Sequence, residues 1–304
     1  MVKVILVEGL NRGKFPFSNC IVVESESVRV LIDTGCYPNL PEGSFDAIVY
    51  THFHPDHIRG FEAVASKARK VFAPRGEEPY RSLRDLAVRF APGIVDEWLS
   101  MAEYIGLSRV PEVDEYYEPG EDLCLKNACF KTYPARGHLL THTLIEVEGH
   151  LHLVDIDLTG FGPWYANPES NPSLFLDDIE MASRVEARTY TTAHKPGAMA
   201  REEATLMLAR YAERLIEHAE AIYKLLREGP SRPEDLAGKG AIYRRYIPGF
   251  EKVMRYFEAM MVEKLLPLLS LWGCAKRVKD GWVRRECNLK LVREKVKHRI
   301  LSHI

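Results

Sequence analysis

Between residues 50 and 57 the chain reads YTHFHPDH, which places His52, His54, Asp56 and His57 within six positions. Imidazole nitrogens and carboxylate oxygens at this density point to metal ligation, because zinc takes such donors at about 2.0–2.2 Å. A lone histidine in a loop would not justify that conclusion; four donors this close do. The preceding run, DAIVYT (46–51), reads as a strand. Pro55 biases His54 toward extended backbone, so the chain leaves the strand, crosses a tight loop and enters a helix near His57. Side chains at 52 and 54 can then converge on one point, while Asp56 and His57 face a neighbouring one. Two adjacent cation positions follow.

Short Val- and Ile-rich runs predict further strands at 2–8, 20–24 and 28–33. After the cluster, Ile58, Phe61, Val64 and Ala68 recur at helical spacing, and KVFAP (70–74) predicts the next strand. Residues 76–113 predict a helical insert or lid whose aromatics, Tyr80, Phe90, Trp98 and Tyr104, form a small core of their own. Strands return at 123–133, 141–148, 150–158 and 187–193, with a helix over 173–185. Such mixing implies sheets covered by helices. From about 200 the pattern changes. Leu208, Tyr211, Leu215, Ala219, Ile222 and Leu226 mark one face of a long helix that stops at Gly229-Pro230. A short helix in SRPEDLAGK follows, then a third marked by Val253, Phe257, Met260 and Leu265, its end disturbed by Pro267. A hairpin around Asp280-Gly281 completes a winged-helix-like outline.

Charge supports the same division. The net charge is -2, but residues 201–304 hold 22 Lys+Arg against 14 Asp+Glu, and residues 1–200 hold 19 against 29. The expectation is a domain over 1–200 and a second over 201–304. The basic stretch 275–304 reads as a solvated helix and hairpin, with phosphate contact as the alternative. No apolar run reaches eighteen residues, so no membrane span is expected. The start, MVKVILVEGL, lacks a cleavage site and predicts no signal peptide. Cysteines 20, 36, 124, 129, 274 and 287 show no C-x-x-C spacing. They are expected to be reduced, mostly buried thiols of a cytoplasmic protein.

The string H-x-H-x-D-H resembles the signature of the metallo-β-lactamase-fold superfamily, and the other motifs stand in that family's order. LIDTG supplies Asp33 and Gly35 before the string; His138 in ARGH, an aspartate within HLHLVDIDL and His194 ending TYTTAH follow it. The resemblance implies a four-layer αββα sandwich, with metals in the strand-end loops at one edge and the mainly helical, winged-helix-like domain appended. Carried over, the first metal takes His52, His54 and His138, the second takes Asp56, His57 and His194, and a carboxylate bridges them. Here Val154-Asp155-Ile156-Asp157 replaces the family's usual Gly-Asp. Both aspartates point the same way from an extended strand, so Asp155 is preferred and Asp157 kept as the alternative. Asp56 and Asp155 are the candidate catalytic carboxylates. Asp33 and His142 are expected behind the ligands, Asp33 accepting a ring N–H. His150 and His152 are bystanders. Trp164 and Tyr165, in FGPWY, either line a substrate pocket or pack a loop.

Keeping both Asp56 and His57 resembles the glyoxalase II, lactonase and ribonuclease branches. No cysteine lies near the bridge, unlike the β-lactamases, and His54 stands where flavodiiron proteins have glutamate. The implied cofactor is two divalent ions, zinc by affinity order and availability, with iron or manganese also suited to N/O donors. Such a pair, roughly 3.5–4 Å apart, holds a hydroxide and lowers the pKa of water toward about 7. The expected activity is hydrolysis of an ester-like bond in a small molecule such as a thioester or lactone. One alternative is a ribonuclease whose basic C-terminal domain binds nucleic acid; another is a non-enzymatic, metal-stabilised scaffold. The C-terminal unit could equally cap the cleft or pair two copies as a homodimer.

Overall fold

The apolar runs of the first half form strands in a computed structural model that describes residues 2–302. Strands β1 (Lys3–Val7), β2 (Cys20–Glu24), β3 (Arg29–Ile32), β4 (Ala47–Val49), β5 (Val71–Pro74) and β6 (Glu115–Tyr117) lie side by side in that order. The first three are antiparallel, and β3 to β6 run parallel. A second sheet holds β7 (Leu123–Leu125), β8 (Ala128–Pro134), β9 (Thr143–Val147), β10 (His150–His152), β11 (Thr189–Thr191) and β12 (Met199–Ala200), again in chain order. Only β10 and β11 pair in parallel there.

Ile21, Val23, Val30, Ile32 and Val49 of the first sheet meet Phe130, Ile145 and Val147 of the second in one buried cluster. The alternate residues Val22, Leu31 and Ile48 face the other way, into a larger cluster shared with the helices. Both faces of the first sheet are therefore covered, which is why its central strands read as unbroken apolar runs. Burial of each such side chain stabilises by about 1.5–3 kcal/mol.

The segment after the histidine cluster is not one helix but two turns, α1 (Pro55–Ile58) and α2 (Phe61–Val64). Gly60 separates them, and a Cβ there would stand 2.2 Å from the Thr34 carbonyl oxygen, so the backbones touch. Two helices follow, α3 (Leu83–Phe90) and α4 (Val95–Tyr104). They correct the expectation of a separate aromatic core: Phe90 and Trp98 join the main cluster, and Tyr104 is exposed against Phe250. Helices α5 (Pro172–Arg184) and α6 (Arg201–Leu225) add Phe175, Ile179, Leu208 and Leu215 to the same cluster. Beyond them come α7 (Pro233–Leu236) and α8 (Glu251–Leu271). The hairpin of β13 (Ala275–Val278) and β14 (Gly281–Arg284) follows, then α9 (Leu289–Leu301), which packs on α6. Helix α8 runs through Pro267 rather than ending there. Leu265, Leu266, Leu268 and Leu269 around it are all buried, and their burial outweighs the roughly 3 kcal/mol of an interior proline.

The predicted strand over 150–158 is also cut short. Strand β10 ends at His152, and Val154 takes φ 51°, a left-handed conformation unusual for a β-branched residue. The chain therefore turns before Asp155.

All six cysteines are paired, as Cys20–Cys36, Cys124–Cys129 and Cys274–Cys287. This corrects the reduced-thiol expectation and removes the cysteine argument for a cytoplasmic setting. Spacing could not show it, since each bond joins neighbouring segments of the folded chain; Cys124 and Cys129 face each other across the β7–β8 hairpin. Among the described residues, no helix is long and apolar enough to cross a membrane. The Cys20–Cys36 bond closes a loop of sequence separation 16, worth about 3 kcal/mol by chain entropy. Adding a reductant should therefore lower the thermal midpoint clearly. An unchanged midpoint, with six titratable thiols already present in the denatured, unreduced chain, would contradict the pairing.

Candidate metal centre

Strand β3 ends at Ile32, and Asp33 just beyond it sits at φ 58°. That turn aims its carboxylate across to the next strand end. Oδ1 accepts from the Thr51 backbone N–H at 2.9 Å, and Oδ2 accepts from the Thr51 hydroxyl at 2.8 Å. Oδ2 also faces Nδ1 of His57 at 2.8 Å. Asp33 thereby fixes both the start and the end of the 51–57 segment. Gly35 belongs to the same contact: a Cβ there would lie 1.7 Å from the Asp56 carbonyl oxygen. Thr34 donates its backbone N–H to the His57 carbonyl at 2.8 Å.

The donors gather in two groups, and within each the ligand atoms lie within 4.8 Å of one another. The first comprises His52, His54, His138 and Asp155; the second comprises Asp56, His57 and His194. Asp155 touches both. Its Oδ2 is 3.1 Å from His52 Nε2, 3.8 Å from His54 Nδ1 and 3.0 Å from His138 Nε2. Its Oδ1 is 3.2 Å from both His57 Nε2 and His194 Nε2, and His194 Nε2 is 3.2 Å from Asp56 Oδ2. Four donors around one ion at about 2.0–2.2 Å would stand roughly 3.3–3.6 Å apart, close to these separations. His52 Nε2 supplies the sharper test. It is fully buried 3.1 Å from Asp155 Oδ2 yet makes no hydrogen bond of acceptable geometry, which leaves its lone pair free to take a cation. The residues fit a metal.

The rear nitrogen of each histidine has a partner, which sets the ring orientation. His138 Nδ1 donates to the Trp164 carbonyl at 3.0 Å, and His194 Nδ1 donates to the Gly13 carbonyl at 2.6 Å. His54 Nε2 meets the Asn167 side-chain amide at 2.8 Å, while Asn167 Oδ1 lacks a partner. Turning that amide over lets Oδ1 accept the ring N–H that a Nδ1-ligating His54 carries. His142 holds Asp155 from behind: its Nδ1 donates to the Ala135 carbonyl and its Nε2 accepts the Asp155 backbone N–H at 3.1 Å.

The two aspartates of VDID do not point the same way, because the left-handed Val154 breaks the strand before them. Asp155 faces the histidines, and Asp157 instead accepts the Thr159 backbone N–H at 2.9 Å. Trp164 stands with its ring 5.8 Å from that of His54, but Tyr165 is fully buried with its hydroxyl toward His218. Tyr165 therefore packs in the core. His150 and His152 both reach the Thr191 hydroxyl on β11, and neither belongs to the two donor groups.

Several contributors escaped the sequence. Phe90 lies edge-on to His54 at 4.8 Å. Beneath the 52–54 loop, Arg89 donates to Glu77 at 2.6 Å and to Glu169 at 2.8 and 3.0 Å, and Glu77 accepts from the Phe53 backbone N–H. Thr51 was visible within the string but carries no signal of its own, and Asn167 carries none.

Burial, reinforced by neighbouring histidines, keeps His52 neutral far below the usual imidazole range and lowers His54 to about 4. Burial opposes charge on His57 and His194 too. Asp155, with Asp33 and Asp56 at His57 and Asp56 at His194, outweighs it and holds both protonated well above that range. Burial also opposes ionisation of Asp155, but His57 and His138 outweigh it and hold the carboxyl well below its usual range. A cation entering the second group must therefore displace protons, whereas His52 and His54 are already free of them. Affinity at the second group should rise roughly tenfold per pH unit for each proton displaced. On dialysis from pH 8 downward, its ion should leave first. Simultaneous loss from both groups would contradict this assignment.

Two facing mixed sheets with helices outside carry paired His/Asp groups at their strand ends, a scaffold that fits a metal centre. Residues 13–152 match the family model of the Metallo-beta-lactamase superfamily. Among curated proteins, no sequence matches the chain. A solved metallo-beta-lactamase family protein from Thermus thermophilus shares the fold at TM-score 0.64 and 18% identity, over 93% of this chain and 98% of its own. A beta-lactamase domain protein from Burkholderia ambifaria does so at TM-score 0.64 and 17% identity, over 93% and 91%. Both alignments run well beyond residue 152, so the shared fold includes C-terminal helices. Residues 13–152 are thus similar to that superfamily, and the two solved structures share the fold.

Proposed function

We propose that the chain is a dinuclear metal-dependent hydrolase of an ester-like bond, acting on a thioester, lactone or similar small molecule. The observation that carries the proposal is Asp155, whose two oxygens face separate donor groups. Two divalent ions, zinc by affinity order and availability, would supply Lewis-acid polarisation and a water nucleophile at neutral pH when bound. His52, His54 and His138 would hold one; Asp56, His57 and His194 would hold the other. Four protein ligands would close a structural zinc site; seven shared between two ions leave positions for water, which argues against a mere scaffold. Asp155 fixes the spacing of the groups, and Asp33 and the Gly13 carbonyl hold the second group's rings in place. Phe90 and Trp164 pack against His54 and keep water from that side. His194, its side chain 13% exposed against 0% for His52, marks the side from which substrate approaches.

A small substrate is favoured over RNA in part because three cations of the basic tail are held in ion pairs within the fold. Arg293, Lys297 and Arg299 of α9 pair with Glu220, Glu213 and Asp177 on α6 and α5. These three cations are engaged by carboxylates of the chain itself, although Lys297 and Arg299 stay 50% and 53% exposed. A winged-helix-like role for 201–304 as a cap on the cleft fits this packing.

The test is a metal-supplemented screen of the full chain over thioesters, lactones, β-lactams, phosphodiesters and short RNA. Ester-like turnover that disappears on chelation with dialysis and returns with metal is the expected result. Cleavage of RNA without any ester turnover would overturn it.

A further inference from the structure

We propose that the C-terminal segment sets the geometry of the first metal group, with Tyr243 as the positioning residue acting through Trp164. The inference rests on the metal reading above. Its basis is that the two groups take their outer partners from different parts of the chain. Those of the second group, Asp33 and the Gly13 carbonyl, both lie in the first thirty-odd residues. Those of the first group come largely from the 161–167 loop, where the Trp164 carbonyl meets His138 and Asn167 meets His54.

That loop contains no strand or helix to hold it. It is clamped from the C-terminal side instead. The Trp164 indole N–H donates to the Tyr243 hydroxyl at 2.9 Å, and its ring packs against Phe257 of α8 at 5.3 Å. Phe161 stacks on Tyr243 at 5.5 Å with an interplanar angle of 19°. Tyr243 is itself tied down by Glu258 of α8, a fully buried carboxylate. Glu258 accepts the backbone N–H groups of Gly238 and Tyr243 at 2.9 and 3.4 Å, together with the Tyr246 hydroxyl. A continuous line of polar and ring contacts therefore runs from α8 to two of the three histidines of the first group and reaches neither His57 nor His194. Outer partners of ligating histidines set ring orientation, and losing one costs about 10–100-fold in metal affinity.

The experiment titrates zinc into metal-free, full-length protein in competition with a chromophoric chelator. His54→Ala and His57→Ala identify which binding step belongs to which group. Tyr243→Phe removes one hydroxyl and keeps the ring that stacks on Phe161. It should weaken the first-group step about tenfold and leave the second unchanged. Trp164→Phe and Glu258→Gln should weaken the same step. The thermal midpoint of each metal-free variant is recorded alongside, because a purely structural role would lower it and weaken both steps together. Equal weakening at both groups, or unchanged first-group affinity in both Tyr243→Phe and Trp164→Phe, overturns the proposal. Failure of the wild-type protein to bind zinc would instead overturn the metal reading, and this inference with it.

Discussion

Replacing Asp155 with alanine should abolish tight binding at both metal groups and, by loss of the cations that would stabilise developing negative charge, reduce ester hydrolysis by roughly 10³-fold. The side chain is the one donor common to both groups, with Oδ2 3.0–3.1 Å from His138 and His52 and Oδ1 3.2 Å from His57 and His194. Its removal takes away the only negative charge on the first group and half of that on the second. Asp157→Ala should behave quite differently. Asp157 caps its own turn through the Thr159 backbone N–H, so metal content should stay near that of the wild type and only stability should fall slightly. Metal analysis of both purified variants, with circular dichroism to check folding, decides the matter. A larger loss in Asp157→Ala than in Asp155→Ala would show that the bridge has been misplaced.

Arg89→Ala should cost roughly 3–5 kcal/mol of stability, the usual penalty for breaking a buried ion pair on one side only. The Arg89 side chain is 2% exposed, and it lies between Glu77, which is fully buried, and Glu169. Truncation leaves Glu77 buried without its cation, and burial already raises the pKa of that carboxyl. Against a total stability of about 5–15 kcal/mol this is a large fraction. Glu77 also accepts the Phe53 backbone N–H between His52 and His54, so the loop should loosen and zinc affinity fall with stability. Urea unfolding of the metal-free protein measures the first effect as a lower midpoint at unchanged slope. A shift under about 1 kcal/mol would mean that the triad contributes little beyond packing.

The local parts of this centre were legible because local rules govern them. Donor density at 52–57, the proline that turns His54 outward and the apolar run before it are properties of adjacent residues. The strands of the first sheet were equally readable, since both its faces are buried and every position in its core runs is apolar. The motifs holding His138 and His194 could be placed only through resemblance, because nothing in their neighbourhoods says what they approach.

The sequence by itself determined the donor types, the strand-loop-helix that presents four of them, and the division in texture near residue 200. Tertiary structure decided the rest. It selected Asp155 over Asp157 through a left-handed Val154 that period-two alternation cannot foresee. It paired the cysteines across neighbouring segments and put Tyr165 in the core. It also recruited Asn167, Phe90 and Arg89 from distant positions. The physical reason is range: propensity and spacing act over a few residues, whereas a metal group is completed by side chains brought together only after two sheets have buried their common face.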